Sequence, residues 1–342
     1  MEPGHPVRSQ PISGHTTECP TRVASSPGRR DPAADPSKPG AADQLRPGSD
    51  RTGESGGGGP PGIKGPTPVV VKLADGFGSL GVIRVDEESG LSSAIRQSEL
   101  ARQVALGSNE GVDPRLVVEE YLDGPEYVVE SLVVDGHVHV LAIGDKGYPQ
   151  GPFFEAGNYV APAQLDDEAR NAIFREVIRG HRALGINMGP THTELRLCEG
   201  NRPFILEVGA RFGGSGVSHY IAQGVSGVDF AGEVMRMAVG LPPRNIDAKQ
   251  DTLATPVGIA ANYIVQSDGS GRIAEIVGLS DISVDPQVDH IIQMLHSGDV
   301  VRPYPHFSGY PAFVLSRHAD HDSVFDLHER IGSTVRIVYE AD

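Results

Sequence analysis

The sequence predicts an α+β fold, because hairpins of short strands and separate amphipathic helices follow one another along the chain. Two alternating runs, His192–Leu197 and Pro203–Val208, flank a short polar turn. Another two, Tyr127–Val134 and His137–Ile143, flank an Asp-Gly pair, which is a strong type I′ hairpin signal. Residues 166–184 repeat apolar positions at helical spacing behind an aspartate cap and before a glycine stop.

Length, charge and cysteine content limit the possible classes of protein. The 342 residues leave room for two domains and a sizeable core. A net charge of −16 argues against nucleic acid as the main partner. Two cysteines cannot form a disulfide framework, and no apolar run approaches the ~18 residues of a membrane span. We therefore expect a soluble, cytoplasmic protein without a signal peptide or a membrane partner.

Residues 1–65 differ in composition from everything that follows. Proline, glycine, serine and arginine dominate, and large aliphatic residues are few. Such a segment cannot bury enough apolar surface to offset its ordering entropy, so we expect a disordered tail. It is either a linker or regulatory tail, or an upstream region without a selected fold, for example after a misplaced start codon.

Two ordered domains are expected after the tail, at 66–242 and 253–342, separated by a polar stretch that begins at Pro242-Pro243. Short helices are expected at Val217–Gly224 and Val228–Val239. In the second domain we expect strands at Val257–Val265, Arg272–Val277, Ala312–Ser316 and Thr334–Tyr339, and helices at Pro286–Leu295 and Ser323–Ile331.

The hairpin built from GPTHTELRLCEGNRPFILEVGARFGGSG is the strongest functional signal. It carries one carboxylate on each strand, Glu194 and Glu207, thirteen positions apart, and Arg211 just beyond. Two carboxylates brought together can hold a hard divalent cation. A guanidinium and a following glycine pair suit a bound anion. The hairpin therefore predicts a site for magnesium and nucleotide phosphate.

A lysine at a strand end begins a second candidate segment. Lys72 follows three valines and precedes a glycine-rich turn with Gly76, Gly78, Ser79 and Gly81. The lysine can supply charge, and glycines let backbone N–H groups approach phosphate oxygens. The segment is neither a P-loop nor a GxGxxG fingerprint, and a flexible hairpin loop accounts for it equally well.

Acidic residues and a long loop follow. Glu119, Glu120 and Glu126 cluster around a turn, where they are either solvated edge charges or acceptors for an adenine amino group and ribose hydroxyls. Gly144–Pro162 reads as a loop that contains Lys146 and the segment GPFFEAG. Loops of this length are often lids or binding loops.

Five segments together resemble the ATP-grasp superfamily, specifically its carboxylate–amine ligases of the amino-acid ligase type. They are VVVKLADGFGSLGV, VVEEYLDGPEY, the DK…GPFFEAG…PA loop, THTELRL and LEVGARFGG, in the family's order. They span about residues 69–240, and the region after 253 resembles the small C-terminal domain of these ligases. The resemblance implies two α+β subdomains that clasp ATP, with a small α/β domain behind them.

The resemblance also implies roles for individual residues. Lys72 would bind phosphate under the Gly76–Gly81 loop, and Glu119 would face adenine. Tyr121 and Leu122 would make backbone contacts at the hinge, and Glu126 would hold ribose. Further along the chain, Glu194 and Glu207 would bind Mg²⁺ or Mn²⁺, Arg211 would meet the γ-phosphate and acyl-phosphate oxygens, and His192 and Lys146 would lie near the acyl substrate.

The implied activity is ATP-dependent amide formation through an acyl phosphate, with amino acids as the carboxylate and amine substrates. Two features depart from the family. Gly209 stands where many members carry asparagine, and the family's upstream pre-ATP-grasp region is expected to be missing. A homo-oligomer or a complementing chain could then complete the site. Alternatives are a truncated, catalytically weak or inactive ATP-grasp relative that binds nucleotide or a partner only, and a biotin-carboxylase-like enzyme.

Overall fold

Antiparallel sheets dominate the computed structural model, which describes residues 68–340 except 75, 77, 107–114, 150–157, 215–216 and 303–308. The expected tail at 1–65 and the GPFFEAG segment lie outside the described residues. Within them, hairpins and separate helices alternate, so the predicted α+β class is confirmed. None of the described helices is long and apolar enough to cross a membrane.

Fifteen strands and six α-helices form the described part of the chain. The strands are β1 Val69–Leu73, β2 Ile83–Val85, β3 Leu116–Glu120, β4 Glu126–Val134, β5 His137–Gly147, β6 Asn158–Ala161, β7 Gly189–Cys198, β8 Arg202–Gly209, β9 Thr252–Leu253, β10 Ile259–Val265, β11 Gly271–Val277, β12 Val288–Gln293, β13 Val300–Val301, β14 Ala312–His318 and β15 Arg336–Tyr339. The helices are α1 Leu91–Leu106, α2 Asp167–Ala183, α3 Val217–Ser226, α4 Phe230–Ala238, α5 Leu279–Ser283 and α6 His321–Thr334.

A small sheet of order β2-β1-β3 packs against α1. The alternation of β1 buries Val69, Val71 and Leu73, and turns Val70 and Lys72 to the opposite face. Side chains of β2 and α1 complete the core beneath the buried valines. The VVVKL pattern therefore fixes the side on which Lys72 lies.

The large sheet has the order β12-β14-β10-β6-β5-β4-β7-β8, and β9 pairs with β5. All nine residues of β4 are buried, because α2 covers one face and α3 the other. The Asp166 carboxylate caps α2 by accepting from Ala169 N at 2.7 Å. Ile173 and Val177 of that helix have no exposed surface. The predicted helix at 166–184 is confirmed.

The predicted hairpins are also confirmed. Asp135 and Gly136 have φ values of 50° and 79° between β4 and β5, as a type I′ turn requires. The strands β7 and β8 form the second hairpin around Glu199–Asn201. The short helices expected near 217–224 and 228–239 correspond to α3 and α4.

Two predictions of local structure are wrong. Pro286–Leu295 is not helical but contains β12, whose β-branched Val288, Ile291 and Ile292 suit a strand paired with β14. The expected loop Gly144–Pro162 is strand at both ends, because β5 extends to Gly147 and β6 begins at Asn158. β6 lies between β5 and β10 in the sheet, and β10 is about a hundred residues away in sequence, so no local pattern indicates the pairing of β6 with β10.

Strands from both predicted domains lie in the one large sheet. β10, β12 and β14 follow the polar stretch at 242–252, and β10 pairs directly with β6. The division at 242–253 stays a prediction, and the sheet is continuous across it.

A substitution at Gly144 can test how closely β5 approaches β6, because the Tyr159 ring of β6 lies against this residue. A Cβ atom at this position would overlap the Tyr159 ring. We expect Gly144→Ala to lower the free energy of unfolding by about 1–3 kcal/mol, the usual cost of overpacking, in chemical denaturation. Gly214→Ala is the matched control, since its Cβ would meet no atom of the described residues within 4 Å. Equal stability of the two variants would contradict the close approach.

Candidate active site

The two carboxylates of the β7–β8 hairpin lie directly opposite each other. The register pairs Glu194 with Glu207, so both side chains lie on one face of the sheet. The register shifts immediately afterwards, because Leu206 is an extra residue on β8. Like charges in this position repel unless a cation lies between them. Within the described residues Glu207 has no ion-pair partner, whereas Glu194 has two.

Lys146 links two carboxylates on neighbouring strands of the sheet. Its Nζ lies 2.6 Å from Glu126 Oε1 and 3.2 Å from Glu194 Oε1. Arg196 Nη2 contacts the other oxygen of Glu126 at 3.0 Å, and Arg196 Nη1 donates to Leu122 O at 2.9 Å. Glu126, expected to hold ribose, is therefore buried between two cations.

A buried carboxylate on β4 orients His192. Glu130 has no exposed surface, and its Oε1 lies 2.8 Å from His192 Nδ1. Tyr159 and Ser218 donate their hydroxyls to the same carboxylate. The other ring nitrogen, His192 Nε2, lies 3.6 Å from Glu194 Oε1. The imidazole of His192 thus lies between the buried carboxylate of Glu130 and the carboxylate of Glu194.

These contacts shift two pKa values in opposite directions. Burial opposes the charged form of His192, but the charge and hydrogen bond of Glu130, with those of Glu194, raise its pKa to about 9. Burial also opposes the charged form of Glu194, yet Lys146 and His192 outweigh it and hold the pKa of that carboxyl well below its usual range. At neutral pH His192 is therefore a cation and Glu194 an anion.

Lys72 and Glu119 meet at the other end of the cavity. Lys72 Nζ lies 2.7 Å from Glu119 Oε2, on the neighbouring strands β1 and β3. Tyr121 follows β3 and has the Arg84 guanidinium carbon 4.0 Å from its ring centroid. The two residues expected to bind phosphate and adenine separately are thus paired with each other.

The glycine-rich turn between β1 and β2 has left-handed backbone at three positions. Gly78, Ser79 and Gly81 have φ values of 57°, 54° and 75°. Gly76, Gly78 and Ser79 line the cavity, whereas Gly81 accepts a hydrogen bond from Ser98 of α1 at 2.6 Å. Gly81 therefore anchors the turn to the helix.

One cavity of about 990 Å³ collects these groups. Every predicted site residue except Gly81 lines it: Lys72, Gly76, Gly78, Ser79, Glu119, Tyr121, Leu122, Glu126, Lys146, His192, Glu194, Glu207 and Arg211. Arg211 is exposed at the edge and donates to the Phe212 carbonyl at 2.7 Å. The structure therefore brings together residues from segments more than a hundred positions apart.

Sequence reasoning missed three residues of this site. Glu130 contacts His192, Arg196 contacts Glu126, and Ser218 contacts Glu130, and none of the three was singled out. The sequence does indicate Glu130 as a candidate, because it is a charged residue in the middle of the apolar run YVVESLVV. A carboxylate in a buried strand needs a partner.

The donor set suits a magnesium ion that a substrate helps to hold. In the described part of the chain no group of three or more His, Cys, Asp or Glu could hold a metal ion. Mg²⁺ commonly takes one or two protein carboxylates and completes its shell with substrate phosphates and water. Glu194 and Glu207 fit that pattern, because they are opposed and the exposed Glu207 has no ion-pair partner within the described residues.

Comparison with known proteins defines the class. Residues 65–219 match the model of the ATP-grasp domain. The crystal structure of an L-amino acid ligase from Bacillus licheniformis has the same fold, with a TM-score of 0.69 and 39% identity over 82% of this chain and 65% of that one. A biotin carboxylase from Campylobacter jejuni shares the fold at 17% identity and a TM-score of 0.58. The chain therefore contains a segment, residues 65–219, that matches the ATP-grasp domain, and it shares the fold of these enzymes.

Curated relatives agree with this placement. An uncharacterized protein, y4rH, of Sinorhizobium fredii is 31% identical over 225 residues, which are 64% of this chain and 44% of the relative. Alanine–anticapsin ligase of Bacillus subtilis is 28% identical over 178 residues, which are 48% of this chain and 37% of the ligase. The chain thus spans less than half the length of these two relatives.

Removing the charge of Glu130 should change the titration of His192. In Glu130→Gln we expect the pKa of His192 to fall from about 9 by about 1–3 pH units, because an opposite charge in contact is lost. NMR titration of the imidazole measures this, with the His192→Gln spectrum for assignment. An unchanged pKa would contradict the pairing.

The raised pKa of His192 also predicts a pH dependence of stability. Its ordinary pKa of 6.5 rises to about 9 on folding, so the stabilisation is complete below pH 6.5 and disappears as the pH rises through 9. The difference in unfolding free energy between the wild type and His192→Gln should shrink over that window. Chemical denaturation at several pH values measures it, and a constant difference would contradict the prediction.

Proposed function

We propose that this chain is an ATP-dependent ligase that joins a carboxylate to an amine, with amino acids as substrates. The observation that carries the proposal is the opposed pair Glu194 and Glu207, which shares one cavity with Lys72 and Arg211. The ATP-grasp fold and the likeness to an L-amino acid ligase support it.

ATP would occupy the half of the cavity near β1 and β3. Lys72 and the turn around Gly78 and Ser79 would hold phosphate, through one charge and approachable backbone N–H groups. Glu119, Tyr121 and Leu122 would meet the base. Lys72 must exchange Glu119 for phosphate when the nucleotide binds, because the two side chains are paired. Glu126 would accept a hydrogen bond from a ribose hydroxyl. The accepting carboxylate oxygen would be one that Lys146 and Arg196 leave accessible.

Glu194 and Glu207 would hold Mg²⁺ or Mn²⁺, and the metal would supply neutralisation of phosphate charge when bound. Lys146 and His192 keep Glu194 ionised, which is the form that a metal requires. Arg211, at the edge of the cavity, would add a guanidinium to the transferred phosphoryl oxygens.

The reaction would proceed in two steps, phosphorylation of the carboxylate and displacement of phosphate by the amine. A substrate carboxylate oxygen bonds to the γ-phosphorus of ATP, the bond to the β,γ-bridging oxygen breaks, and ADP leaves. The amine nitrogen then bonds to the acyl carbon, and the C–O bond to phosphate breaks, with one amine proton leaving on the phosphate. The cations Lys146, His192 and Arg211 would orient the carboxylate and stabilise the charge that develops.

The pairing of Lys72 with Glu119 bears on the alternative function, nucleotide binding without turnover. While Lys72 stays paired with Glu119, its charge is not available to stabilise the transferred phosphoryl group, so turnover would be weakened even where other residues hold the nucleotide. A homo-oligomer, a complementing chain and a cytoplasmic location stay predictions from the sequence.

Amino-acid-dependent ADP release tests the ligase proposal. The full chain with Mg-ATP and an amino-acid panel should release ADP and phosphate only when the substrates are present. Glu207→Gln and Arg211→Ala should each lower that rate by about 10²–10³-fold, since charge stabilisation is lost. Glu199→Gln and Arg202→Ala, on the far hairpin turn, are matched controls with full activity. ATP binding without turnover on any amino acid would instead favour the alternative function.

A further inference from the structure

One buried side chain contacts three of the residues that the proposed function assigns to the nucleoside. Arg196 lies on β7 and is 3% exposed. Its Nε and Nη2 donate to Glu126 Oε2 at 3.2 and 3.0 Å, and its Nη1 donates to the Leu122 carbonyl at 2.9 Å. Its guanidinium carbon also lies 5.7 Å from the centroid of the Tyr121 ring. The proposed function gives Arg196 no task of its own.

The end of β7 also holds the backbone of residues 121–125, which connect β3 to β4. Leu197 N donates to the Pro125 carbonyl at 3.1 Å. Gly124 has a φ of 145°, and a Cβ atom there would overlap the Leu197 carbonyl oxygen. Only glycine allows this approach and this backbone conformation. Arg196 and Leu197 therefore hold both the side chains and the backbone of the connecting segment.

The contacts of Glu126 determine which of its oxygens can serve a ligand. A carboxylate has two oxygens with about two acceptor sites each. Two N–H groups of Arg196 use the sites of Oε2, whereas Oε1 has Lys146 Nζ at 2.6 Å. Glu126 lines the cavity and keeps 7% of its side chain accessible. Arg196 thus turns Glu126 so that Oε1 keeps capacity for a ligand hydroxyl.

The strand that carries Arg196 also carries the metal carboxylate. Glu194 and Arg196 are alternate residues of β7, so their side chains lie on one face, about 7 Å apart along the strand. The register pairs Arg196 with Glu126 of β4 and Glu194 with Val128. The distance between the nucleoside contacts and the metal carboxylate is therefore set by β7.

The shape of the guanidinium, rather than its charge, is what this position needs. Lys146 already supplies Glu126 with a cation. A guanidinium presents five N–H donors in a fixed plane, so it can serve the Glu126 carboxylate and the Leu122 carbonyl at the same time. A lysine has a single nitrogen on a flexible stem and cannot reproduce this fork.

We propose that Arg196 is a positioning residue for the nucleotide, which holds Tyr121, Leu122 and Glu126 where they select the base and ribose of ATP. The inference rests on the proposed function and deepens its nucleotide site. Arg196 acts through Glu126 and Leu122, and it keeps both at a fixed distance from Glu194. Selectivity for an adenine ribonucleotide should therefore depend on Arg196, whereas attraction of the phosphates should not.

Nucleotide selectivity of Arg196→Lys tests this inference. Calorimetric titration of the full chain with Mg-ATP, Mg-GTP and the magnesium salt of 2′,3′-dideoxy-ATP measures it. The wild type should bind ATP about tenfold or more tighter than either analogue, since each analogue loses hydrogen bonds. In Arg196→Lys both ratios should fall to about threefold or less. Binding of magnesium tripolyphosphate, which has no nucleoside, should not change.

Arg202→Lys is the matched control on the same hairpin. Arg202 is exposed on β8, donates to the Glu199 carbonyl and lies outside the cavity lining. Both selectivity ratios should stay at their wild-type values in this variant. Circular dichroism verifies each fold, and Arg196→Gln, with the same expected loss of selectivity, replaces the lysine variant if that variant is unfolded.

Glu126→Gln separates action through Glu126 from a general loss of structure. It should abolish the preference for ATP over the dideoxy analogue, and adding Arg196→Lys should leave that ratio unchanged while still lowering the preference over GTP. Unchanged ratios in Arg196→Lys, or equal weakening of ATP and tripolyphosphate, would overturn the inference and leave the ligase proposal standing. The expected selectivity without any amino-acid-dependent ADP release would support the inference and overturn the ligase proposal. A wild type that binds none of the three nucleotides would overturn both.

Discussion

Repulsion among carboxylates on the cavity floor is the constraint on which the rest of the site depends. Glu126 and Glu130 lie on β4, Glu194 on β7 and Glu207 on β8, so four acidic side chains occupy three adjacent strands. Buried charges of one sign are tolerated only when cations or hydrogen bonds offset them, which applies to Glu126 and Glu130. Glu194 is partly buried and Glu207 is exposed.

The protein offsets most of this charge with its own side chains. Lys146 and Arg196 share Glu126, His192 pairs with Glu130, and Lys146 also reaches Glu194. The remaining carboxylate, Glu207, has no such partner within the described residues, although it lies opposite Glu194. Among the described residues, three of the four carboxylates thus have cationic partners, and the exposed Glu207, where a divalent cation would fit, has none.

The same sheet links this charged floor to a less polar region. Because β10 and β14 continue the sheet beyond β6, the wall of the cavity passes from ion pairs to Asn262 and then to aliphatic and aromatic side chains. The large sheet, rather than any single motif, creates that arrangement.

Local patterns in the sequence determined the hairpins and their faces. The Asp135-Gly136 turn, the alternation of β7 and β8 and the capped helix α2 each depend on neighbours in the chain. The opposition of Glu194 and Glu207 could be predicted for the same reason, since a short hairpin fixes its own register. The glycine-rich turn after Lys72 was likewise visible.

Tertiary structure alone decided which side chains meet across distant segments. Glu126 pairs with Lys146 and Arg196, and Lys72 with Glu119, although the sequence assigned these carboxylates to ribose and adenine. The helix predicted at Pro286–Leu295 became β12, and Asn262 reached the cavity because β10 pairs with β6. Alternation specifies the face on which a residue lies, but not the neighbouring strand. Pairing between strands a hundred residues apart depends on how the whole sheet packs, which no local pattern encodes.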